Sequence, residues 1–377
     1  MKTKNVLMLC NSYYPLLGGE KYYQKVAEKL AEIGYKVTVW TPRKDKSHDK
    51  AERVNGVSIQ RFESRGLLGI WSFMARNIGK IISADIIHGF DFNTILFWYF
   101  PFRIIFWHKP VFVTFLGHEG IFPIPEKIIL TRKLTELITW GNICGGHYIK
   151  KWYSTAPDYI VYGGCEKPKI ERPAPSEASA VFIGRIQKDS GISEYIKAVC
   201  ILNERGVKMK MDIFGNIKDK QLYDDLQKII LDKGLHVKYC GIADNTEETI
   251  QRYRYAFLSA CLANLEAMIC KRLIFSIYSN PLKKDYLEMV PGAKEMTEIA
   301  GEPEMLAEKI IYHIDHPETD NAMVKNAYEY ANAQTWENAA RKHKLLFDKT
   351  KPQIKLVEVL KTSGKLMRAQ IRDRIIK

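Results

Sequence analysis

Short apolar runs alternate with amphipathic stretches along almost the whole chain, a pattern that predicts parallel α/β sheets. Val6–Leu9 reads as a first strand. The segment Glu20 to Ile33 follows, with Tyr22, Tyr23, Val26, Ala27, Leu30 and Ile33 at helical spacing and Gly34 ending it. Lys36–Trp40, Val57–Phe62, Ile86–Gly89 and Val111–Phe115 read as further strands of the same sheet. Residues 166–179 interrupt the alternation with three prolines, several charges and almost no apolar residue, the composition of a linker. The pattern then restarts. Ala180–Ile183, Lys208–Phe214, His236–Tyr239, Ala256–Leu258 and Leu273–Ile277 read as strands, with helices at Ile192–Glu204, Lys220–Asp232 and Ala263–Cys270. The expected fold class is α/β, with two Rossmann-like, doubly wound parallel-sheet domains, 1–165 and 180–334, facing across a cleft at the carboxyl ends of their strands. A chain of 377 residues is long enough for two such cores.

Charge changes this picture more than composition does. Lys+Arg 57 against Asp+Glu 43 gives a net charge of +14, which favours anionic partners: nucleotide phosphates, acidic lipid headgroups or nucleic acid. Nucleic acid is not expected, because no recognition module is visible. The seven cysteines form no Cys-x-x-Cys pair, so a reduced, cytoplasmic chain without structural zinc is expected. The basic and apolar start, with its apolar part confined to Asn5–Cys10, reads as a buried strand and not as a signal peptide. No apolar run is long enough for a transmembrane helix. The nearest stretch, Ile95 to Trp107, is interrupted by Pro101 and Arg103, and its aromatic part, Phe97 to Phe102, is expected as core under the sheet rather than as a membrane wedge.

Four motifs carry candidate chemistry. Pro15-Leu-Leu-Gly18-Gly19-Glu20 follows the first strand and opens a helix; its glycines let backbone N–H groups approach an anion or a sugar hydroxyl, and a plain tight turn is the other reading. Phe182-Ile-Gly184-Arg185-Ile-Gln-Lys188-Asp-Ser190-Gly191-Ile192 places an arginine fork on a glycine-flanked loop, suited to clamping a diphosphate. Phe257-Leu258-Ser259-Ala-Cys-Leu-Ala-Asn264-Leu265-Glu266-Ala-Met268 puts a carboxylate on a mostly apolar helix, where it needs hydrogen-bond partners. Thr114-Phe-Leu116-Gly117-His118-Glu119 sets a histidine beside a carboxylate at a strand end, able to orient hydroxyls or take a proton.

Together these segments resemble the family-4 retaining glycosyltransferases of GT-B fold. The resemblance is carried by Val6 to Val39, by the Gly184-Arg185 loop, by Glu266-Ala267-Met268, by Gly141-Asn142-Ile143 through Tyr162-Gly163-Gly164, and by Thr335-Trp336-Glu337. It implies transfer of a sugar from a nucleotide-diphosphate sugar to a glycan or lipid-linked acceptor, as in polysaccharide biosynthesis, with the anomeric configuration retained. It further implies that residues 1–165 take the acceptor and 180–334 the donor, with 335–350 a helix crossing back to the first domain. Arg185 and Lys188 would neutralise the diphosphate, Glu266 would accept from the ribose hydroxyls, and Asn264 and Leu265 would hold sugar hydroxyls through backbone N–H groups. His118 and Arg185 are the expected catalytic groups, and Gly18, Gly19 and Glu119 the acceptor and phosphate loops.

The chain departs from the family pattern twice. Ser190 stands where the family has a lysine, and Leu258 stands where it has the first of two glutamates, before a shortened loop. These departures leave a second reading open, a non-catalytic partner subunit that binds nucleotide or glycan. A third reading, a nicotinamide-dependent Rossmann enzyme, is argued against by the absence of a Gly-x-Gly-x-x-Gly after the first strand. No Asp-x-Asp stands at a strand end, so neither a divalent metal clamp nor any cofactor is implied, and the nucleotide sugar enters as substrate. Residues 351–377 carry eight basic residues against Glu358 and Asp373, with apolar positions near helical spacing that break around Gly364. Such a tail is either solvated or lies peripherally on an acidic membrane surface.

Overall fold

The computed structural model describes residues 3–13, 19–63, 66–117, 120–350, 352 and 355–375. It divides the chain into two compact units, 1–162 with 336–377, and 163–335.

The first unit is built on strands β1 (Asn5–Leu9), β2 (Lys36–Pro42), β3 (Ala51–Val54), β4 (Val57–Phe62), β5 (Ile86–Phe90), β6 (Val111–Phe115), β7 (Gly141–Cys144) and β8 (Tyr159–Ile160). Their order is β3-β4-β2-β1-β5-β6-β7-β8, with β3 alone antiparallel to its neighbour. Central strands β1, β5 and β6 are buried almost throughout, which is why they read as continuous apolar runs without alternation. The strand order reverses between β1 and β5.

The helix Trp336–Phe347 belongs to this unit and packs on Gly19–Glu32, with the Tyr22 and Trp336 rings edge to face at 5.9 Å and Lys29 Nζ 2.9 Å from Glu337. A buried polar chain fastens it to the sheet. His343 Nδ1 donates to Ala339 O at 2.9 Å, Thr114 Oγ1 lies 3.3 Å from His343 Nε2, and His88 Nε2 lies 2.9 Å from Thr114 Oγ1. Burial lowers the His343 pKa to about 4, and burial first and His343 second lower that of His88, so both rings are neutral.

The tail differs from its sequence reading. Leu356–Ile375 is one helix running through Gly364, because it packs on Glu126–Ile138: Leu366 joins Leu134 and Leu96 in a small core, and Arg372 Nη2 lies 2.6 Å from Glu126. Tertiary packing outweighs the cost of one helical glycine, roughly 1 kcal/mol.

The second unit is all parallel: β9 (Ser179–Ile183), β10 (Lys210–Phe214), β11 (Val237–Tyr239), β12 (Tyr255–Phe257), β13 (Leu273–Ile277) and β14 (Thr297–Ala300). Their order, β11-β10-β9-β12-β13-β14, is the doubly wound one, and it reverses between β9 and β12. The two sheet faces are separate cores set by the strand period of two. Ala180, Phe182, Phe257 and Phe275 pack beneath Tyr195, Ile196 and Leu306, while Val181, Ala256, Leu258 and Ile274 pack against Leu265, Met268 and Ala331.

Candidate functional site

Ligands of doubly wound sheets sit beyond the carboxyl ends of the strands where the order reverses. In the second unit that point lies between β9 and β12, and each strand there delivers one of the motifs read from the sequence.

The loop after β9 is zipped to the loop after β10. Gly184 N donates to Phe214 O at 3.0 Å, Ile186 N to Asn216 O at 2.9 Å, and Lys218 N and Asp219 N both reach Ile186 O. Gly215 makes the zip possible: its φ is +144°, and a Cβ there would stand 1.8 Å from Gly184 O, so only glycine fits. This pinned backbone carries Arg185 with its side chain exposed. Lys188 and Ser190 lie in the 3₁₀ turn that follows, Lys188 exposed and Ser190 Oγ donating to Gln187 O at 2.7 Å. Gly191, with φ +83°, turns the chain into Ile192–Glu204, in whose first turn the Glu194 Oε2 atom is buried without a hydrogen-bond partner.

After β12, Ser259 receives the Ile277 N–H at 3.0 Å and lies 2.7 Å from the Tyr195 hydroxyl, which locks the strand exit. The helix Cys261–Ile269 begins two residues later. Leu265 is buried in the core and Glu266 is 6% exposed. The Asn264 N–H donates to Ala260 O at 2.8 Å, whereas its side-chain Oδ1 is buried with no partner. Leu258, eight residues before Glu266, is fully buried against Val181 and Ile274. The side chain at 258 thus points into the sheet's core, and no carboxylate could replace it there without burying a charge.

Pro281–Glu288 follows β13 and closes the group. Asn280 caps it, accepting from Lys283 N at 2.9 Å, and the Tyr286 hydroxyl accepts from Cys261 N at 2.8 Å. Arg185, on the loop after β9, is near enough to add to the fall that burial gives the Lys283 pKa and to oppose the rise that burial gives the Tyr286 one. Tyr286 therefore ties the helix after β13 to the first residue of the helix that bears Glu266.

In the first unit, Gly18, His118 and Glu119 lie outside the described residues, and Gly19 opens the helix Gly19–Glu32. Other groups stand at the carboxyl ends of β5 to β7. Asp91 adopts φ +68° directly after β5, donates its N–H to Thr114 O at 2.8 Å and accepts from Phe92 N at 2.9 Å. Arg132 is fully buried, stacks 4.2 Å from the Tyr153 ring centroid and places Nη2 3.9 Å from Asp91 Oδ1. His147 Nδ1 lies 2.6 Å from the Tyr162 hydroxyl. The sequence motifs do not single out Asp91, Arg132 or His147; the one signal available for Asp91 is a lone carboxylate ending an apolar strand.

Two family models divide the chain between them: Glycosyltransferase Family 4 matches residues 17–149, and Glycosyl transferases group 1 matches residues 166–330. No curated protein matches in sequence. Among solved structures, a glycosyltransferase from Rickettsia africae superposes with a TM-score of 0.70 at 13% identity, covering 96% of this chain and 100% of that one. HepE from Anabaena in complex with UDP and glucose gives 0.68 at 13% identity, with 90% and 98% covered. WaaG, a glycosyltransferase involved in lipopolysaccharide biosynthesis, gives 0.65 at 15% identity, with 91% and 100% covered. The two matched segments, each on its own doubly wound sheet, identify the chain as a member of the family-4-like glycosyltransferases of GT-B fold.

Proposed function

We propose that this glycosyltransferase moves a sugar from a nucleotide-diphosphate donor bound to the second unit onto a glycan or lipid-linked acceptor, with retention of configuration and without a divalent metal. The observation that carries the donor assignment is the junction at the β9/β12 reversal. There an exposed arginine on a pinned loop and a buried glutamate on a helix follow the two adjacent strands at which the order reverses. Arg185 grips the diphosphate, Glu266 accepts from the ribose hydroxyls, and the unfilled Asn264 Oδ1 accepts from a donor hydroxyl. Lys188 adds charge at the loop's rim. Gly18, Gly19, His118 and Glu119 are assigned to the acceptor side, with His118 near the reacting sugar. Because HepE was solved with UDP and glucose, a UDP-sugar is the first donor to try. A thermal-shift series with UDP, GDP, ADP and their sugars tests this: a ligand at a hundredfold its Kd adds about 2.7 kcal/mol of stability. One nucleotide should raise the melting point, equally with and without a chelator. No shift from any of them would remove the donor assignment.

The place of work is proposed to be an anionic membrane surface. No helix among the described residues is long and apolar enough to cross a membrane. Instead Leu356–Ile375 leaves Leu356, Val357, Leu360, Met367 and Ile371 more than half exposed, among Lys361, Lys365, Arg368 and Arg372. Leu366 seats that helix on Leu134 and Leu96, and the segment of Leu96 runs on into Phe100–Ile105, where Ile104 and Ile105 are also exposed. Exposed leucines ringed by lysine and arginine suit the headgroup boundary of an acidic bilayer, each cation adding about 1 kcal/mol. Co-sedimentation with phosphatidylserine vesicles should exceed that with neutral vesicles and fall with salt. Leu360→Glu with Met367→Glu should weaken it about tenfold or more, since each buried leucine or methionine contributes about 1.5–3 kcal/mol. Equal, weak binding to both vesicle types would leave the helix a purely structural strut.

A further inference from the structure

The loop before Gly191 carries Ser190 where the family pattern has a lysine, and Lys188, its sequence neighbour, is exposed on a separate turn. A cation does stand at this site, and it comes from another element. Lys283 lies in the first turn of Pro281–Glu288, the helix entered from β13, whose strand neighbours β12. Its side chain is only 7% exposed. Its ammonium sits 4.4 Å from the centroid of the Tyr286 ring and makes no hydrogen bond or ion pair with any described residue. Four other groups face it: Asp189 and Arg185 from the loop after β9, Cys261 from the neighbouring helix, and Tyr286 from its own.

A buried lysine without a carboxylate contact is costly, and proteins bury one chiefly where an anion completes it. Asp189 does not fill that role: it acts on Lys283 without a hydrogen bond, and its carboxylate accepts instead from the amide of Gln187. Arg185, by contrast, adds a second positive charge on the same side. Two cations converging beside a strand reversal, one buried and one free to close, define a site for a doubly charged oxyanion group.

We infer that Lys283 is the second cation of the diphosphate subsite, reaching it from the helix after β13 in place of the lysine missing at 190. The inference rests on the donor assignment proposed above. Its electrostatics follow directly. Burial lowers the Lys283 pKa to about 8; Asp189 acts upward, as an ionised Cys261 would, and Arg185 adds to the fall. Cys261 and Tyr286 are both pushed upward, chiefly by burial, and stay neutral. Near pH 8 the empty site therefore holds a partly neutral lysine, and a bound diphosphate, favouring the charged form, recharges it by taking up a proton.

The test uses the full chain and whichever of UDP, GDP or ADP it binds, with the parent nucleoside as control. Lys283→Met should weaken the nucleoside diphosphate about 10- to 100-fold, the loss of one charge-assisted contact. It should leave nucleoside affinity unchanged and the ligand-free melting point unchanged or raised. Calorimetry near pH 8 in two buffers of different ionisation enthalpy should show proton uptake on diphosphate binding in the wild type and none in the variant. Absence of uptake in the wild type overturns the inference without reference to any variant. If Lys283→Met binds like the wild type while Arg185→Ala binds weakly, Lys283 has no part and the donor assignment stands. If no nucleoside diphosphate binds the full chain, both fall.

Discussion

Arg272→Met is expected to destabilise the second unit by about 3–5 kcal/mol, near the upper end of what one substitution costs. Arg272 stands just before β13 and is 1% exposed. Its guanidinium donates to six backbone carbonyls: Tyr253, Cys270, Gln251 and Arg172 at 2.8–2.9 Å, and Lys271 and Pro173 at 3.1 Å. A methionine fills much of the volume and leaves all six oxygens without this donor. The fork ties three separate stretches together: the turn before β12, the end of the helix Cys261–Ile269, and the segment at 172–173. That segment is also held by Arg172 N to Gln251 Oε1 at 2.7 Å and by Glu171 to Lys271 Nζ at 2.6 Å. With about 2–4 °C per kcal/mol for a unit of this size, the midpoint should fall by about 10 °C. Arg272→Lys keeps the charge but has three donors in place of five, and should recover only part of the loss. A midpoint within about 2 °C of wild type for the methionine variant would mean that water replaces the guanidinium without cost.

That segment shows where sequence reading stops. Residues 166–179 have a linker's composition, and nothing in their prolines and charges tells that Arg272, a hundred residues on from Arg172, holds the backbone there. The sheets, in contrast, were largely legible. Central parallel strands are buried on both faces and print themselves as apolar runs, and amphipathic stretches between them print the helices. Partner geometry is a different kind of information. The continuous helix through Gly364 depends on Leu134 and Glu126, more than two hundred residues earlier.

The candidate site divides in the same way. Arg185 and Glu266 stand out as candidates in the sequence because a glycine-flanked arginine and a carboxylate on an apolar helix are locally anomalous. Lys283 does not, although Leu282, Lys283, Tyr286 and Leu287 share one helical face and put the lysine on the inward side. A lysine in an apolar stripe reads first as one that snorkels to solvent. Leu258 is legible in another way: the strand period of two places it in the core, on the face of Val181 and Ile274.

Arg185→Ala is expected to lower turnover about 100- to 1,000-fold, the usual effect of removing one donor aimed at charge that grows in the transition state. Ground-state affinity for the nucleoside diphosphate should fall by less, about 1.5–3 kcal/mol, the worth of a charge-assisted hydrogen bond. The asymmetry follows from the chemistry. Breaking the bond from sugar to phosphate leaves a further negative charge on the diphosphate, so the guanidinium is worth more then than before. The side chain is exposed on a loop whose conformation is fixed by Gly215 and by backbone hydrogen bonds, so the fold should be untouched. Glu266→Ala should weaken the nucleotide by a similar 1.5–3 kcal/mol, but through the ribose. Its signature is therefore separate: the wild type should prefer a ribonucleotide over its 2′-deoxy or 3′-deoxy analogue, and Glu266→Ala should abolish the preference. The two effects act on different parts of one ligand and should add in the double variant. A folded double variant with wild-type nucleotide affinity would place the donor away from the β9/β12 reversal.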